Sequence, residues 1–457
     1  MNAVAQRTLR IRNIVSSAGL FLVVSIAPVR AQSASAQTAS ARTVPVQKET
    51  SAVSLKVATD HPNALYHVGE QVMFTIQARQ GKQPLAEGTL TCILSKDGWQ
   101  PEPPRKLTIK DGQATLTSTL NEPGFLQLRV ISGKSTALAG AGFDPLQLKP
   151  SLPVPDDFDQ FWDRQKAELA KVPLKAKLTP AKAPLEGMEA FDTQIDCIGQ
   201  PVSGYFGRLL NAKPKSLPAI LFVHGAGVRS SLLNNTRWAV DEGGMLAMDI
   251  NAHGIPNGQP NEFYTDLAQG DLKDYRSFGR ADREKSYFKA MFLRMLRAID
   301  FLTSQPEWDG KTLIVYGSSQ GGFQALAAGG LDSRVTLICA GVPAGCDHSG
   351  YLAHRISGWP KLVPLDASEK PDAAILQASR YVDCVNFAQR AKCRQAVVTV
   401  GFIDTTCPPT SVYTAYNALP VPKKIHFDID AGHTNTPAAV QFMQAAVREH
   451  VRAMKQP

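Results

Sequence analysis

The sequence lacks the clustered cysteines, basic runs and long apolar segments that mark several large classes of protein. Its seven cysteines form no CxxC pair and no Cys/His group with zinc spacing, which excludes a disulfide framework and a zinc-ligand motif. The 49 Lys and Arg residues are spread among 40 acids and leave no electrostatic footprint for nucleic acid. With 44% hydrophobic and 19% charged residues, the chain is predicted to be globular, and none of its motifs implies a metal or an organic cofactor.

The first 31 residues are predicted to be a secretory signal peptide. Three arginines precede an apolar run at 14–27, and small residues follow it. The run is shorter than the roughly 20 residues of a membrane-spanning helix, which favours export over the alternative of an uncleaved anchor. Loss of residues 1–31 removes four arginines and no acid, so the formal charge falls from +9 to +5. We therefore expect a secreted or periplasmic protein with a flexible linker at 32–50.

Residues 51–148 have the pattern of a small all-β domain. Short stretches of alternating polar and apolar residues recur about every ten residues, and Gly and Asp turn signals separate them. This spacing predicts an immunoglobulin-like β-sandwich. The stretch contains no catalytic constellation, so two roles stay open: packing against the rest of the chain, or contact with a glycan or another partner.

A proline-rich stretch at 149–155 separates this domain from a second pattern, which extends over 153–457. Apolar strands there alternate with amphipathic helices, among them a helix predicted over 284–303 and strands predicted at 311–316 and 396–400. Continuous apolar strands of this kind are typical of a mostly parallel sheet that helices cover on both faces. The predicted fold class is therefore α/β, preceded by the small all-β domain.

The sequence GSSQG at 317–321 lies between a predicted strand and an Ala-rich helix, which is the context of a nucleophile elbow. Glycines on both sides allow the tight turn that lifts a serine hydroxyl out of the sheet edge. We therefore interpret Ser319 as the nucleophile of a serine hydrolase, with an ordinary turn as the alternative. Because a serine hydroxyl is a weak nucleophile at neutral pH, it needs a base and an acid that orients the base.

The chain order of an α/β-hydrolase, in which serine is followed by the acid and then by histidine, selects the partners of Ser319. His433 comes just after the last predicted strand, where a mobile catalytic loop belongs, and is interpreted as the base. Asp404 follows the strand at 396–400 and is interpreted as the acid. The alternative acids are Asp383, Asp428 and Asp430. The other histidines after the serine come too early or lie within predicted elements: His348, His354, His426 and His450.

An oxyanion in such a reaction needs backbone N–H donors from the residue after the nucleophile and from a loop after an earlier strand. Gln320 occupies the first position. The sequence HGAG at 224–227 follows a predicted buried strand, and Ala226 is the expected second donor. His224 comes long before Ser319 in the chain and is interpreted as a structural loop residue.

Several short motifs carry a resemblance to a known family. In chain order they are DFDQFW at 157–162, RAIDFL at 297–302, GSSQGG at 317–322, YVDCVNFA at 381–388, GFIDTTCPP at 401–409 and GH at 432–433. Together they resemble the acetyl xylan esterase/cephalosporin C deacetylase family of α/β-hydrolases. The resemblance implies a triad of Ser319, Asp404 and His433, an acetylated carbohydrate or small acetyl ester as substrate, and no cofactor. Because known members often form ring-shaped hexamers, it also implies a homo-oligomer.

Three positions depart from the family pattern. Ala226 stands where an aromatic residue usually follows His-Gly, and NAHG at 251–254 replaces an Arg-Gly-Gln motif. Thr434 replaces the Glu that usually follows the histidine. These differences bear on the choice of substrate more than on the reaction class.

We therefore expect a secreted serine carbohydrate esterase that hydrolyses O-acetyl esters of acetylated xylan, xylo-oligosaccharides or related small acetylated compounds through an acetyl-enzyme. A serine hydrolase for another ester or a peptide bond is one alternative, because a triad does not encode its substrate. A catalytically inactive carbohydrate-binding or adhesion protein is the other. The presence of all three triad residue types in the expected order argues against the inactive protein.

Overall fold

The N-terminal part of the structure, a computed structural model that describes residues 52–455, is built from strands. They are β1 (Val53–Thr59), β2 (Leu65–Tyr66), β3 (Gln71–Gln80), β4 (Gln83–Pro84), β5 (Glu87–Lys96), β6 (Arg105–Lys110), β7 (Gln113–Thr119), β8 (Gly124–Ser132) and β9 (Ser135–Phe143). Buried and exposed residues alternate along β3, as expected for a strand with one face toward a core. The predicted signal peptide and linker, at 1–31 and 32–50, lie outside the described residues.

These strands form one sheet that closes around its own apolar core. Their order is β1-β3-β7-β6-β5-β8-β9-β2, with β4 paired to β3, and every pairing except that of β2 with β9 is antiparallel. The two sides of the sheet meet where Ser135 Oγ donates to the carbonyl of Val53. The core between them includes Phe74, Leu90 and Leu128. We refer to residues 53–143 as the β domain.

The rest of the described chain is a second sheet with helices packed against it. Its strands are β10 (Ala176–Ala181), β11 (Met188–Ile195), β12 (Val202–Leu209), β13 (Leu217–Val223), β14 (Leu246–Ile250), β15 (Trp308–Ser318), β16 (Leu337–Gly341), β17 (Gln395–Gly401) and β18 (Lys423–Asp428). Its helices are α1 (Phe158–Ala170), α2 (Asn261–Gln269), α3 (Tyr287–Ser304), α4 (Gln320–Leu331), α5 (Ala373–Ser379), α6 (Cys384–Ala388), α7 (Pro409–Ala418) and α8 (Pro437–Lys455).

The strand order of this sheet is β10-β11-β12-β14-β13-β15-β16-β17-β18. The pairings from β10 to β14 are antiparallel, and those from β14 to β18 are parallel. Strands β13 and β14 are buried along their whole length because both faces of the sheet are covered. The structure thus confirms the predicted α/β-hydrolase fold class with an all-β region before it. Since parallel strands end at one edge, the segments after β15, β17 and β18 meet there.

The β domain and the second sheet share part of one core. Phe125 of β8 belongs to the same apolar cluster as Phe158 of α1 and Leu221 of β13. Asn417, at the end of α7, donates from Nδ2 to the carbonyls of Pro145 and Leu148, each at 2.9 Å. The segment after β9 is therefore fastened to the helical part of the fold.

Element boundaries differ in detail from the sequence expectation. The helix predicted over 284–303 begins at Tyr287 and ends at Ser304. Strand β10 was not apparent from the pattern because its residues are mostly exposed, so it shows no apolar alternation. All seven cysteines are free thiols, six of them buried. Between residues 52 and 455, no helix combines the length and the apolarity that crossing a membrane requires.

Candidate active site

Ser319, His433 and Asp404 form one hydrogen-bonded series at the edge where the parallel strands end. Ser319 Oγ lies 2.9 Å from His433 Nε2, and His433 Nδ1 lies 2.8 Å from Asp404 Oδ2. Because a carboxylate only accepts, Nδ1 carries the imidazole proton and Nε2 is left to accept from the serine hydroxyl. The fold thus brings these three residues together although 114 positions separate the serine from the histidine.

Ser319 has a strained backbone between β15 and α4. Its φ of 59° and ψ of −122° lie outside the regions that a residue with a side chain ordinarily adopts. The neighbouring glycines make the turn sterically feasible. A Cβ at Gly317 would lie 2.5 Å from the carbonyl carbon of Gly321, and a Cβ at Gly321 would lie 2.2 Å from Val223 O. Any larger residue at either position would push the serine out of this turn.

Asp404 is buried, with 1% of its surface exposed. Its Oδ1 accepts from the N–H groups of Thr406 and Cys407, each at 2.8 Å, which leaves Oδ2 for His433. These bonds offset the cost of burying a carboxylate and fix its orientation. Ligand-type atoms of Asp404, Cys407 and His433 lie within 4.8 Å of one another. The carboxylate of Asp404 and the imidazole of His433 are already hydrogen-bonded to each other in the series with Ser319.

The loop that carries His433 is fastened to two strands by Asn435. Its Nδ2 donates to Ser318 Oγ at 2.7 Å, and its Oδ1 accepts from Thr399 Oγ1 of β17 at 2.5 Å. Asn435 is not among the residues predicted from the sequence. Its position two residues after the histidine was the available signal, and its partners become neighbours only in the fold.

Ala226 and Gln320, the two expected oxyanion donors, both lie beside Ser319. Gln320 is the first residue of α4, where N–H groups have no partner within the helix. A Cβ at Gly225 would lie 3.7 Å from Ser319 Cβ, which shows how close the 224–227 loop comes to the serine. Ala226 follows Gly225 and lines the same pocket as Ser319. The arrangement can therefore present two backbone donors to an oxyanion formed next to the serine.

Hydrogen-bonded side chains hold the 224–227 loop at Gly227. Tyr275 donates from its hydroxyl to Gln320 Oε1 at 2.9 Å and accepts from Gly227 N at 3.3 Å. His253 Nε2 donates to Gly227 O at 3.1 Å, while its Nδ1 accepts from the Tyr287 hydroxyl at 2.8 Å. Burial lowers the pKa of His253 to about 4, so the ring is neutral at neutral pH and can both donate and accept. This role of His253 was not predicted from the sequence.

The other candidate residues take no part in the hydrogen-bonded series with Ser319. His224 Nε2 lies 2.5 Å from Asp249 Oδ1. Asp383 accepts from three backbone N–H groups, and burial together with the nearby charge of Asp347 raises its pKa to about 7. Burial lowers the pKa of His348 to about 3. The remaining alternatives lie on β18, after it or on other elements: Asp428, Asp430, His354, His426 and His450.

The pocket above Ser319 has a volume of about 590 Å³. Aromatic and polar side chains line it, among them Arg229, Asn235, Trp238, Trp359, Thr406 and Gln444. A second cavity of about 480 Å³ shares Asn235, Trp238 and Gln444 with the first. The two cavities therefore adjoin, and together they extend from the serine to Arg448 of α8.

Comparison with known proteins shows which family the chain is similar to. The model of the acetyl xylan esterase (AXE1) family matches residues 146–450, so the β domain lies before the match. The chain is 34% identical over 332 residues to an acetyl esterase of Xylanibacter ruminicola, which covers 70% of this chain and 73% of that protein. A solved acetyl xylan esterase from Paenibacillus sp. R4 is 31% identical with a TM-score of 0.55, over 66% of this chain and 98% of its own. Acetyl xylan esterase 1 from a Thermoanaerobacterium species is similar in fold, with 22% identity and a TM-score of 0.51 over 66% of this chain and 97% of its own.

Proposed function

The chain belongs to the acetyl xylan esterase family, and we propose that it is an exported serine esterase that removes O-acetyl groups from acetylated xylan, xylo-oligosaccharides or related small acetylated compounds. That it is a carboxylic-ester hydrolase follows from the family. The triad, the export and the substrate are the proposal. The observation that carries it is the unbroken series Ser319–His433–Asp404, with bonds of 2.9 and 2.8 Å.

In the first half of the reaction, Ser319 Oγ attacks the carbonyl carbon of the acetyl ester while its proton moves to His433 Nε2. Asp404 keeps the imidazole in the required tautomer and stabilises the imidazolium that forms. The backbone N–H groups of Gln320 and Ala226 bind the oxyanion of the tetrahedral intermediate. When this intermediate collapses, the ester C–O bond breaks and the sugar oxygen takes the proton from His433. An acetyl group then remains on Ser319.

In the second half, water takes the place of the sugar. It loses a proton to His433 Nε2 and attacks the acetyl carbon, and the bond to Ser319 Oγ breaks as that oxygen recovers the proton. Acetate leaves, and the enzyme returns to its starting state. Each proton that His433 accepts is returned within the same half-reaction, so no cofactor is needed.

The polar lining of the adjoining cavity supports a carbohydrate rather than a long acyl chain. An acetyl group fills a small part of 590 Å³, so most of the pocket is available to the alcohol part of the ester. The adjoining cavity is lined by Asn234, Arg237 and Arg448 among others, which suits hydroxyl-rich groups. A further sugar unit can lie there while the acetylated one is at Ser319.

The test is hydrolysis of chromogenic acetate, butyrate and octanoate esters by the wild type and by Ser319→Ala, with Ser333→Ala as a control at an exposed serine after α4. We expect acetate-selective turnover that falls on the order of 10⁴-fold or more in Ser319→Ala and is unchanged in Ser333→Ala. Release of acetate from acetylated xylan then checks the substrate class. Preference for octanoate would overturn the deacetylase assignment, and equal rates in the wild type and Ser319→Ala would overturn the triad.

Export is tested separately. Fractionation of cells that express the full chain, followed by mass determination of the purified protein, shows whether the product lacks residues 1–31. A cytoplasmic product of full mass would contradict the proposal for export while leaving the proposed chemistry untouched.

A further inference from the structure

The segment 402–410 carries Asp404, and the first residue of this segment contacts the β domain. We call this segment the acid loop. The ring of Phe125 in β8 packs edge-on against the ring of Phe402, with centroids 4.9 Å apart. A Cβ at Gly140 in β9 would lie 2.3 Å from Phe402 O, so that strand passes directly over the backbone there. The acid loop therefore starts on a surface made by two strands of the β domain.

The far end of the acid loop is bonded to the β domain as well, through Asp97. This residue follows β5 in a left-handed conformation with φ of 52°. Its Oδ2 accepts from Thr410 N at 3.0 Å and from Thr410 Oγ1 at 2.5 Å, across 313 positions of the chain. Thr410 is the second residue of α7. Pro408 occupies the N-cap position of this helix, and its side chain makes no capping hydrogen bond. Asp97 thus supplies from another domain the acceptor that a helix N-terminus needs.

Burial of Asp97 is costly in free energy, which requires an explanation beyond packing. The residue is 1% exposed, and its Oδ1 has no hydrogen-bond partner among the described residues. Burial raises the pKa of Asp97 to about 7, and the negative charge of Asp404 adds to the rise. A buried carboxyl with one unpaired oxygen contributes less to stability than an apolar side chain of similar size would. Its bonds to Thr410 hold the helix that the acid loop leads into.

We propose that Asp97 is a positioning residue of the active site, which together with Phe125 and Gly140 fixes both ends of the acid loop and so sets where Asp404 meets His433. The β domain is then a structural part of the catalytic machinery. This inference rests on the proposed function. It requires that the series from Asp404 to Ser319 carries the reaction.

The position of Asp404 depends on the position of the acid loop because of the hydrogen bonds that its carboxylate makes. Asp404 Oδ2 lies 2.8 Å from His433 Nδ1, and its other oxygen is held by two N–H groups of the acid loop itself. A displacement of the loop therefore carries the carboxylate with it. A misplacement of about 1 Å at a catalytic group costs up to about 10²-fold in rate.

The test compares Asp97→Ala and Asp97→Asn with the matched control Asn417→Ala in the full-length protein. Asn417 ties the end of α7 to the segment after β9 and lies outside the acid loop. For each variant, kcat and KM on a chromogenic acetate ester are measured together with the melting temperature. We expect Asp97→Ala to lower kcat at least about tenfold with little change in KM. Asp97→Asn should recover most of this loss because its amide oxygen still accepts from Thr410. Asn417→Ala should leave kcat within about twofold whatever its melting temperature.

An unchanged kcat in folded Asp97→Ala, or equal losses in Asp97→Ala and Asn417→Ala, would overturn the positioning role and leave the esterase proposal intact. Where Asp97→Ala does not fold, Thr410→Val removes the hydroxyl donor alone and gives the same comparison. If the wild type does not hydrolyse acetate esters, the proposed substrate is wrong, and the rate of fluorophosphonate labelling at Ser319 becomes the readout. Labelling at the same rate in the wild type and Asp97→Ala would then overturn the positioning role.

Discussion

His224 and Asp249 form a second histidine–aspartate pair at the wall of the pocket, with Nε2 and Oδ1 2.5 Å apart, and unlike His433 both residues are buried. Asp249 also accepts from Leu232 N at 2.9 Å and from Asn235 Nδ2 at 2.6 Å. Three donors therefore share its two oxygens, which satisfies a carboxylate that has no exposure to solvent. Of the two histidine–aspartate pairs, the pair with His433 is the one bonded to the Ser319 hydroxyl.

Substitution of each histidine in turn should show which of the two pairs takes part in the reaction. His433→Ala removes the proposed base and should lower kcat on the order of 10⁴-fold or more. His224→Gln keeps a donor to Asp249 and should lower kcat less than about tenfold, because it alters the wall of the pocket rather than the proton transfer. Steady-state kinetics on an acetate ester measure both effects. Similar losses from the two substitutions would show that His224 acts in the reaction.

Asn435 should contribute to kcat through the position of His433. Asn435→Ala removes the bonds to Ser318 and Thr399 and frees the histidine loop, so kcat should fall about tenfold while KM changes little. Asp430→Ala, at an exposed residue of the same loop that does not line the pocket, is the matched control and should retain wild-type kcat. Equal kinetics of the Asn435→Ala variant and the wild type would mean that the loop is held by its backbone alone.

Tyr275 should act through the 224–227 loop, where it contacts Gly227 N. Tyr275→Phe removes the hydroxyl that connects Gly227 N to Gln320 Oε1 and should lower kcat roughly tenfold, because the N–H donors on both sides of Ser319 lose their common support. Tyr264→Phe is the control, since that hydroxyl bonds Pro256 O and Gln259 N instead. A kcat for Tyr275→Phe equal to that of Tyr264→Phe would contradict this role.

His348 should make the stability of the fold depend on pH. Burial lowers its folded-state pKa to about 3, below the ordinary value of 6.5, so between these values the unfolded chain binds the proton and the folded chain does not. Stability is therefore lost as pH falls below 6.5, at about 1.4 kcal/mol per pH unit for one such group. When the pH is lowered from 7 to 5, protonation of His348 in the unfolded chain should cost the wild type about 2 kcal/mol in the free energy of unfolding. His348→Leu should not show this loss. Denaturant unfolding at both pH values measures this difference, and a parallel pH dependence of the two proteins would contradict it.

The site residues that lie in short local motifs could be predicted from the sequence. Ser319 lies in a five-residue motif between a strand and a helix, and Asp404 and His433 follow apolar strands in a fixed order. Each of these signals lies within about ten residues, because the turn and the strand ends are local structures. The mostly parallel sheet could be predicted for the same reason, since its strands are continuous apolar runs.

The parts that hold the site in place could not be predicted. Asn435 meets Ser318 across 117 positions, and Asp97 meets Thr410 across 313. Neither aspartate nor asparagine in a turn signals such a partner, because both residue types are common in turns for local reasons. His253 was visible as a departure from the family pattern, but only the fold shows that it bonds the carbonyl of Gly227.

The apolar contact between Phe125 and the pair Phe402 and Tyr413 has a practical consequence. A fragment cut at residue 153 would leave these two aromatic rings without their cover and would present an apolar face to water. We therefore expect the described chain to melt in a single calorimetric transition. The shortest expression product that yields soluble enzyme should begin ahead of β1.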